Sequence, residues 1–182
     1  MTYPRPIVQA LLLLLVIPAG LFDSRQRRVP NWLAGAGVLL GIALNAFLYE
    51  NAGLWTSLKG LGLAFLIYFP LYLLRAMGAG DVKLMAAVGA IAGPANWLGI
   101  FVLTCLFGGV AAIVLVTAKD RVRKTLENMW AILLSARLGQ APYVDNPQLD
   151  VRSGQGLRLP HAVVIAFGTF GFLLAATIWA PR

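Results

Sequence analysis

The sequence predicts an all-α fold, a polytopic membrane helical bundle with about six transmembrane helices. Hydrophobic residues make up 59% of the 182 residues, only 12% are charged, and the mean hydropathy is +0.78. The apolar residues are gathered into long stretches, and basic residues lie between them, as topology signals do. We therefore expect one integral-membrane domain over residues 1–182, and neither an ordinary soluble domain nor a disordered chain.

Six apolar stretches are candidate spans, since a membrane-crossing helix needs about 20 mainly apolar residues. They are Ile7–Phe22, Asn31–Tyr49, Leu54–Leu74, Lys83–Gly93, Asn96–Ala118 and Pro160–Ala180. The first could instead be a cleaved signal peptide, but the basic residues after it oppose an external position for the second. The fourth is short for a hydrocarbon core of about 30 Å, so it either begins within the membrane or thins the bilayer. The segment from Gly93 to Asn96 predicts a tight turn into the fifth.

The long connection 119–159 divides into two parts. The first part has apolar side chains at helical spacing among basic ones, which predicts an amphipathic helix in the cytoplasmic interface. These apolar side chains are Val122, Leu126, Met129, Trp130, Leu133, Leu134 and Leu138. The second part, Gly139–Arg158, is polar and predicts a loop in which Asp145 and Asp150 are solvated charges.

Pairs of small residues and the lone cysteine predict packing rather than chemistry. Gly37 with Gly41, and Gly89 with Gly93, have the small-xxx-small spacing of helices that approach closely. Cys105 lies within an apolar stretch, where we expect it to face lipid or the core.

Charge predicts the orientation of the bundle. If residues 23–30 are cytoplasmic, twelve of the fifteen Lys and Arg residues are cytoplasmic as well. Arg5, Lys59 and Arg182 are then external, and so are both termini. Because the charge of +8 is spread between spans rather than over one soluble face, we expect contact with membrane lipid and no nucleic acid partner.

Two aspartates at the ends of apolar stretches are the candidate catalytic residues. Asp23 ends the first stretch, and Asp81 follows Gly78-Ala79-Gly80. A carboxylate near bilayer depth is costly and usually functional, and the predicted topology brings both to the cytoplasmic face. Two carboxylates sharing one proton can activate a water and protonate a peptide during hydrolysis. Which aspartate acts as the acid stays open, and a cap on the fourth helix is the alternative role for Asp81.

Five residues near the two aspartates are candidates for a supporting role in the site. Gly78 and Gly80 permit positive φ and a close approach of an extended substrate, or they are ordinary loop glycines. Lys83 either keeps one carboxylate ionised or only flanks the membrane, and for Arg25 a topology signal is a sufficient explanation. Asn31 is expected to cap the second span.

His161 begins the last span behind Pro160, on the predicted cytoplasmic side. A lone histidine in such a position is more often a satisfied interfacial residue than a catalytic base. We therefore do not expect it to take part in the chemistry.

These motifs resemble those of the type IV prepilin peptidases. Asp23–Asn31 resembles the family's first-aspartate motif, Gly78–Lys83 resembles its Gly-x-Gly-Asp-x-Lys motif, and Leu159–Val163 is similar to its closing pattern. The chain looks most like the small form associated with tight-adherence, or Flp-type, pili. The resemblance implies Asp23 and Asp81 as the catalytic pair of an aspartyl endopeptidase in the bacterial inner membrane. It implies a Flp-type prepilin as substrate, whose basic leader is cut off at the cytoplasmic face.

This sequence differs from the larger members of the family, so some of their properties are not expected here. No paired Cys-x-x-Cys motifs occur in this sequence, so we expect no zinc site, no cofactor and no methyl-donor site. Archaeal preflagellin peptidases and other Gly-x-Gly-Asp intramembrane proteases remain alternatives, as does a small proton or cation transporter without enzyme activity. The sequence leaves self-association open.

Overall fold

The computed structural model describes residues 4–137 and 160–179, which form five α-helices and no strand. The helices are α1 (Pro6–Gln26), α2 (Asn31–Leu73), α3 (Ala79–Ala118), α4 (Val122–Arg137) and α5 (His161–Trp179). The prediction of an all-α membrane bundle is confirmed, because α1, α2, α3 and α5 are long and apolar enough to cross a membrane. The predicted loop Gly139–Arg158, with Asp145 and Asp150, lies outside the described residues.

Helices α2 and α3 are each folded back on themselves. Their 43 and 40 residues would extend about 60 Å at 1.5 Å per residue, twice the hydrocarbon core. The backbone breaks at Glu50 (φ 53°, ψ −137°) in α2 and at Gly93 (φ 73°, ψ 169°) in α3. The second break confirms the turn that the sequence predicts there. Two antiparallel pairs of helical segments result, and the count of six spans stays a prediction.

Hydrogen bonds across the two breaks fix these folded-back pairs. Asn45 Nδ2 donates to Ser57 Oγ at 2.9 Å, and Trp97 Nε1 donates to the Met85 carbonyl at 3.2 Å. Residues twelve positions apart in a straight helix would be about 18 Å apart. Asn45 also donates to the Ala90 carbonyl at 3.1 Å, which joins the folded-back α2 to α3.

Glycines allow α2 and α3 to pack closely. A Cβ at Gly60 would overlap the Gly89 carbonyl, and a Cβ at Gly89 would overlap the Gly60 carbonyl. A Cβ at Gly37 would lie 2.8 Å from Leu15, and one at Gly41 would lie 2.7 Å from Ile91. The prediction of close packing is confirmed for Gly37, Gly41 and Gly89, since at each position a side chain would not fit between the helices.

The α1–α2 and α2–α3 connections lie at one end of the bundle, together with the start of α5. Gly80 at the start of α3 lies against Val29 before α2, and Gly20 near the end of α1 lies against Ala162 in α5. We call this end, with residues 23–31, 76–83 and 160–162, the site end. The breaks at Glu50 and Gly93 lie at the other end, where Thr56 contacts Gly93 and Arg5 stacks over the Tyr49 ring, 4.8 Å from its centroid.

Helix α4 leaves the site end just after α3. It contacts α3, and its apolar side chains are exposed, Leu126 by 60% and Trp130 by 69%. The amphipathic helix predicted for this segment is therefore present. Cys105 is exposed on the outer surface of α3. Of the two positions expected from the sequence, facing lipid or facing the core, the structure therefore has the lipid-facing one.

Candidate active site

A cavity of about 750 Å³ opens at the site end. Residues 26–31 and residues 76–81 form two of its walls, and Asp23 and His161 complete the lining. Four helices contribute to it, because α1 ends there and α2, α3 and α5 begin there. A cavity of this volume is in the range of small-molecule and peptide-sized binding sites.

Asp23 is buried in the last turns of α1, with 7% of its surface exposed. Its Oδ2 accepts a hydrogen bond of 2.9 Å from the backbone N–H of Ala162. The first N–H groups of a helix have no partner within the helix, so this carboxylate satisfies one at the start of α5. The bond fixes the Asp23 side chain and ties α1 to α5.

Asp81 is the third residue of α3 and lines the same cavity. Gly78 precedes the helix in an extended conformation, and the Asp81 carboxylate accepts a hydrogen bond from the Gly78 backbone. This contact is one half of a capping box, in which the third helical residue reaches back to the N-cap. The capping role considered for Asp81 is therefore present, in a side chain that also faces the cavity.

The structure brings the two predicted aspartates together, although they come from different helices. Asp81 interacts electrostatically with both Asp23 and His161. Each carboxylate is held by a backbone N–H at a helix start, where the helix dipole favours negative charge. Both carboxylates therefore line one cavity, and the catalytic role of the pair stays a prediction.

The glycines before Asp81 do not have the backbone conformation expected for them. Gly78 has φ −79°, and Gly80 already lies in the first turn of α3, so neither needs the freedom of positive φ. A Cβ at Gly80 would lie 3.4 Å from Val29 Cβ, which is ordinary contact. The positive-φ expectation is therefore wrong, because the turn into α3 is made by extended backbone at Gly78.

Lys83 and Asn31 form a pair across the site end. Lys83 Nζ donates to Asn31 Oδ1 at 3.0 Å, and both residues are exposed. The expectation that Asn31 caps α2 is wrong. Pro30 occupies the cap position and Asn31 is the first helical residue, which leaves its side chain free to bind Lys83. Arg25 is exposed in the last turn of α1 and is not among the residues that line the cavity.

His161 is the cavity residue that sequence reasoning undervalued. Its Nε2 is buried and has no hydrogen-bond partner among the described residues. The available signal was its position, since it directly follows Pro160 at the start of the last predicted span and shares the predicted face of both aspartates. Arg27 and Arg28 also line the cavity, where the sequence had given them only a role in topology.

No three His, Cys, Asp or Glu side chains among residues 4–137 and 160–179 lie close enough together to hold a metal ion.

Comparison with known protein families identifies a family for this chain. The model of the type IV leader peptidase family matches residues 10–113, more than half of the chain, and this range contains both aspartates but not His161. No significant match was found among the curated proteins or among the solved structures.

Proposed function

The chain belongs to the type IV leader peptidase family, and from this premise we propose that it is a membrane-embedded aspartyl endopeptidase. Its substrate is a Flp-type prepilin, whose basic leader it removes at the cytoplasmic face of the bacterial inner membrane. One observation carries the proposal: Asp23 and Asp81, from two different helices, line a single cavity at one end of the bundle.

The reaction needs one proton acceptor and one proton donor. The ionised carboxylate takes a proton from a water molecule while the water oxygen attacks the scissile carbonyl carbon, and the protonated carboxyl group gives its proton to the carbonyl oxygen. The tetrahedral intermediate then collapses, the C–N bond breaks, and the proton taken from water passes to the leaving amine. One carboxylate accepts a proton while the other donates one, so both are needed at each turnover.

The local structure supports this chemistry by fixing both side chains. Asp23 is held by the Ala162 N–H and Asp81 by the Gly78 backbone. Fixed polar groups do not have to reorganise during the reaction, and enzymes gain much of their rate from such preorganisation. The walls of residues 26–31 and 76–81 leave room for a peptide in an extended conformation beside the pair.

The proposal also accounts for the cavity's position at the end of the bundle. A prepilin segment that lies along the apolar surface of the helices would present its leader junction at this end. Arg27 and Arg28 line the cavity and would not attract a basic leader, so we assign their charge to orientation and anionic lipid. Recognition then depends on the peptide backbone and the apolar segment of the substrate.

The test is co-expression with a tagged Flp-type prepilin, read as a mobility shift at matched membrane levels of enzyme. Asp23→Asn and Asp81→Asn keep an oxygen acceptor for the helix-start N–H groups but remove the ionisable group. We expect processing by the wild type and by neither variant. The matched control is Glu127→Gln, which removes a carboxylate that pairs with Arg123 on the surface of α4 and should leave processing unchanged.

Two results would contradict the proposal. Processing by both aspartate variants would leave Asp23 and Asp81 as helix caps only. Absence of processing by the wild type would point to another substrate, such as a preflagellin, or to a protein without peptidase activity on pilins.

A further inference from the structure

His161 occupies a position that the carboxylate mechanism does not use. It is the first residue of α5, and it lines the cavity with Asp23 and Asp81. The residue that follows it, Ala162, donates its backbone N–H to Asp23. The imidazole is therefore anchored beside one aspartate through the backbone, while it interacts electrostatically with the other, Asp81.

The buried nitrogen of this imidazole has no partner in the protein. Its Nε2 is shielded from solvent and forms no hydrogen bond with any described residue. Buried polar atoms in native proteins are nearly always satisfied. The ring of Tyr68 lies near the imidazole, with centroids 6.4 Å apart and an angle of 51° between the planes, but the Tyr68 hydroxyl forms no hydrogen bond with Nε2.

The charged groups around the imidazole come from three parts of the chain. Asp23 lies at the end of α1, Asp81 lies in the first turn of α3, and Arg27 and Arg28 line the cavity from the connection to α2. Two carboxylates and two guanidinium groups thus share the cavity with His161. Of these groups, His161 and Asp23 act electrostatically on Asp81.

We propose that His161 is a positioning residue for Asp81. When protonated, its imidazole donates from Nε2 to the Asp81 carboxylate, which satisfies the unpartnered nitrogen and fixes the orientation of the Asp81 side chain. His161 itself forms no bond with the substrate, and for its effect on cleavage the inference rests on the proposed peptidase function.

The first test observes the imidazole directly and needs no activity. His161 is the only histidine in the chain, so labelling the full-length protein with ¹⁵N-histidine gives the signals of one residue. In spectra recorded at one fixed pH, we expect the Asp81→Asn signals to move toward those of the neutral ring. The control Glu127→Gln removes a distant carboxylate and should reproduce the wild-type spectrum. Identical spectra for wild type and Asp81→Asn would overturn the inference.

The second test measures how cleavage depends on pH. It does not use the Asp81→Asn variant, so it remains decisive if that variant fails to fold. His161→Gln keeps a polar side chain but cannot carry the charge. Between about pH 5 and 8, where histidine titrates, we expect the variant to lose the pH-dependent step of the wild type, with kcat/KM about tenfold lower near pH 6. An equal loss at every pH, or no loss, would contradict a positioning role.

The two tests separate the inference from the function on which it rests. If the wild type processes no prepilin, the proposed function fails, and the imidazole spectra still decide whether His161 and Asp81 are coupled. If processing depends on both aspartates but the spectra do not change, the peptidase stands and the role of His161 falls.

Discussion

At the scale of the residue, Asp23 combines a structural contact with its proposed chemistry. The hydrogen bond from Ala162 to Oδ2 means that loss of the carboxylate removes a proton-transfer group and a helix cap together. An asparagine keeps the acceptor oxygen, whereas an alanine does not. The two substitutions therefore distinguish the contribution of the cap from the contribution of the ionisable group.

We predict that Asp23→Ala lowers the free energy of unfolding by about 1–2 kcal/mol, the usual cost of losing a helix cap. Asp23→Asn should lower it by less than about 0.5 kcal/mol, yet abolish cleavage equally. Thermal or denaturant unfolding of the purified protein in one detergent measures the difference. Equal destabilisation by the two substitutions would show that the Ala162 contact does not stabilise the start of α5.

The residue scale also shows how far the sequence predicts the site. Asp23 and Asp81 are predictable because charged residues at the ends of apolar stretches are rare and costly. The Asp23–Ala162 bond is not predictable, since it joins residues 139 positions apart and depends on how α1 and α5 pack. The place of His161 in the cavity was undervalued for the same reason, because its position at the start of the last span does not show which side chains lie beside it.

At the scale of the element, the glycine contact between α2 and α3 holds the two longest helices together. Gly60 and Gly89 each lie against the other's carbonyl, with no room for a methyl group. Gly62, two residues further along α2, has nothing within 4 Å of the position of its Cβ. The chain thus offers a matched pair of glycines on one helix.

We predict that Gly60→Ala lowers the free energy of unfolding by about 1–3 kcal/mol, because the added methyl forces the helices apart. Gly62→Ala should cause no loss, since alanine is the better helix former by roughly 0.5–1 kcal/mol. The measurement is unfolding of both variants in the same detergent. Similar behaviour of the two variants would show that the helices do not touch at Gly60.

Helix α4 has the character of an element that lies on the membrane. Apolar side chains of α4 are exposed. The helix begins four residues after α3 ends at Ala118, and because α3 crosses the membrane, α4 must lie close to the lipid surface. Basic residues at its start, Arg121, Arg123 and Lys124, would meet anionic headgroups, which attract juxtamembrane positive charge.

We predict that spin labels on α4 report two environments in lipid vesicles. Met129 and Glu127 lie roughly 160° apart on a helix that turns about 100° per residue. In a Cys105→Ala background, a label at Met129→Cys should be relaxed mainly by oxygen, and a label at Glu127→Cys mainly by a water-soluble nickel complex. If the nickel complex relaxes both labels equally, α4 does not lie in the interface.

The breaks in α2 and α3 show what limits prediction at this scale. The break at Gly93 has a local signal, because glycine tolerates positive φ and Pro94 follows it. The break at Glu50 has neither glycine nor proline at its centre. It is nevertheless predictable from length, since a continuous apolar helix over residues 31–73 would be about twice as long as the membrane is thick.

At the scale of the whole molecule, folding back α2 and α3 gathers four helix ends around one cavity. The end of α1 and the starts of α2, α3 and α5 meet at the site end, whereas the breaks at Glu50 and Gly93 lie at the other. The aspartates therefore share a face because the chain crosses the bundle an even number of times between them. The even number of crossings was predictable from the sequence, but the contacts between side chains within the cavity were not.

The two ends also differ in charge, and from this difference we predict the orientation in the cell. Arg25, Arg27, Arg28 and Arg75 lie at or beside the site end, and positive charge near spans is retained in the cytoplasm. Ser24 and Ala52 are exposed at opposite ends of the bundle. In a Cys105→Ala background, a membrane-impermeant thiol reagent should label Ala52→Cys in intact cells.

Ser24→Cys should be labelled only after the cells are permeabilised, and the Cys105→Ala protein without a new cysteine serves as the blank. The reverse pattern would place the aspartates outside the cytoplasm, where a prepilin leader would not meet them before export. Labelling of both positions in intact cells would mean that the two ends are not on opposite faces of the membrane. In the folded-back arrangement, the first half of α2 lies between Ser24 and Ala52 and crosses the membrane once. Labelling of both positions would therefore contradict this arrangement.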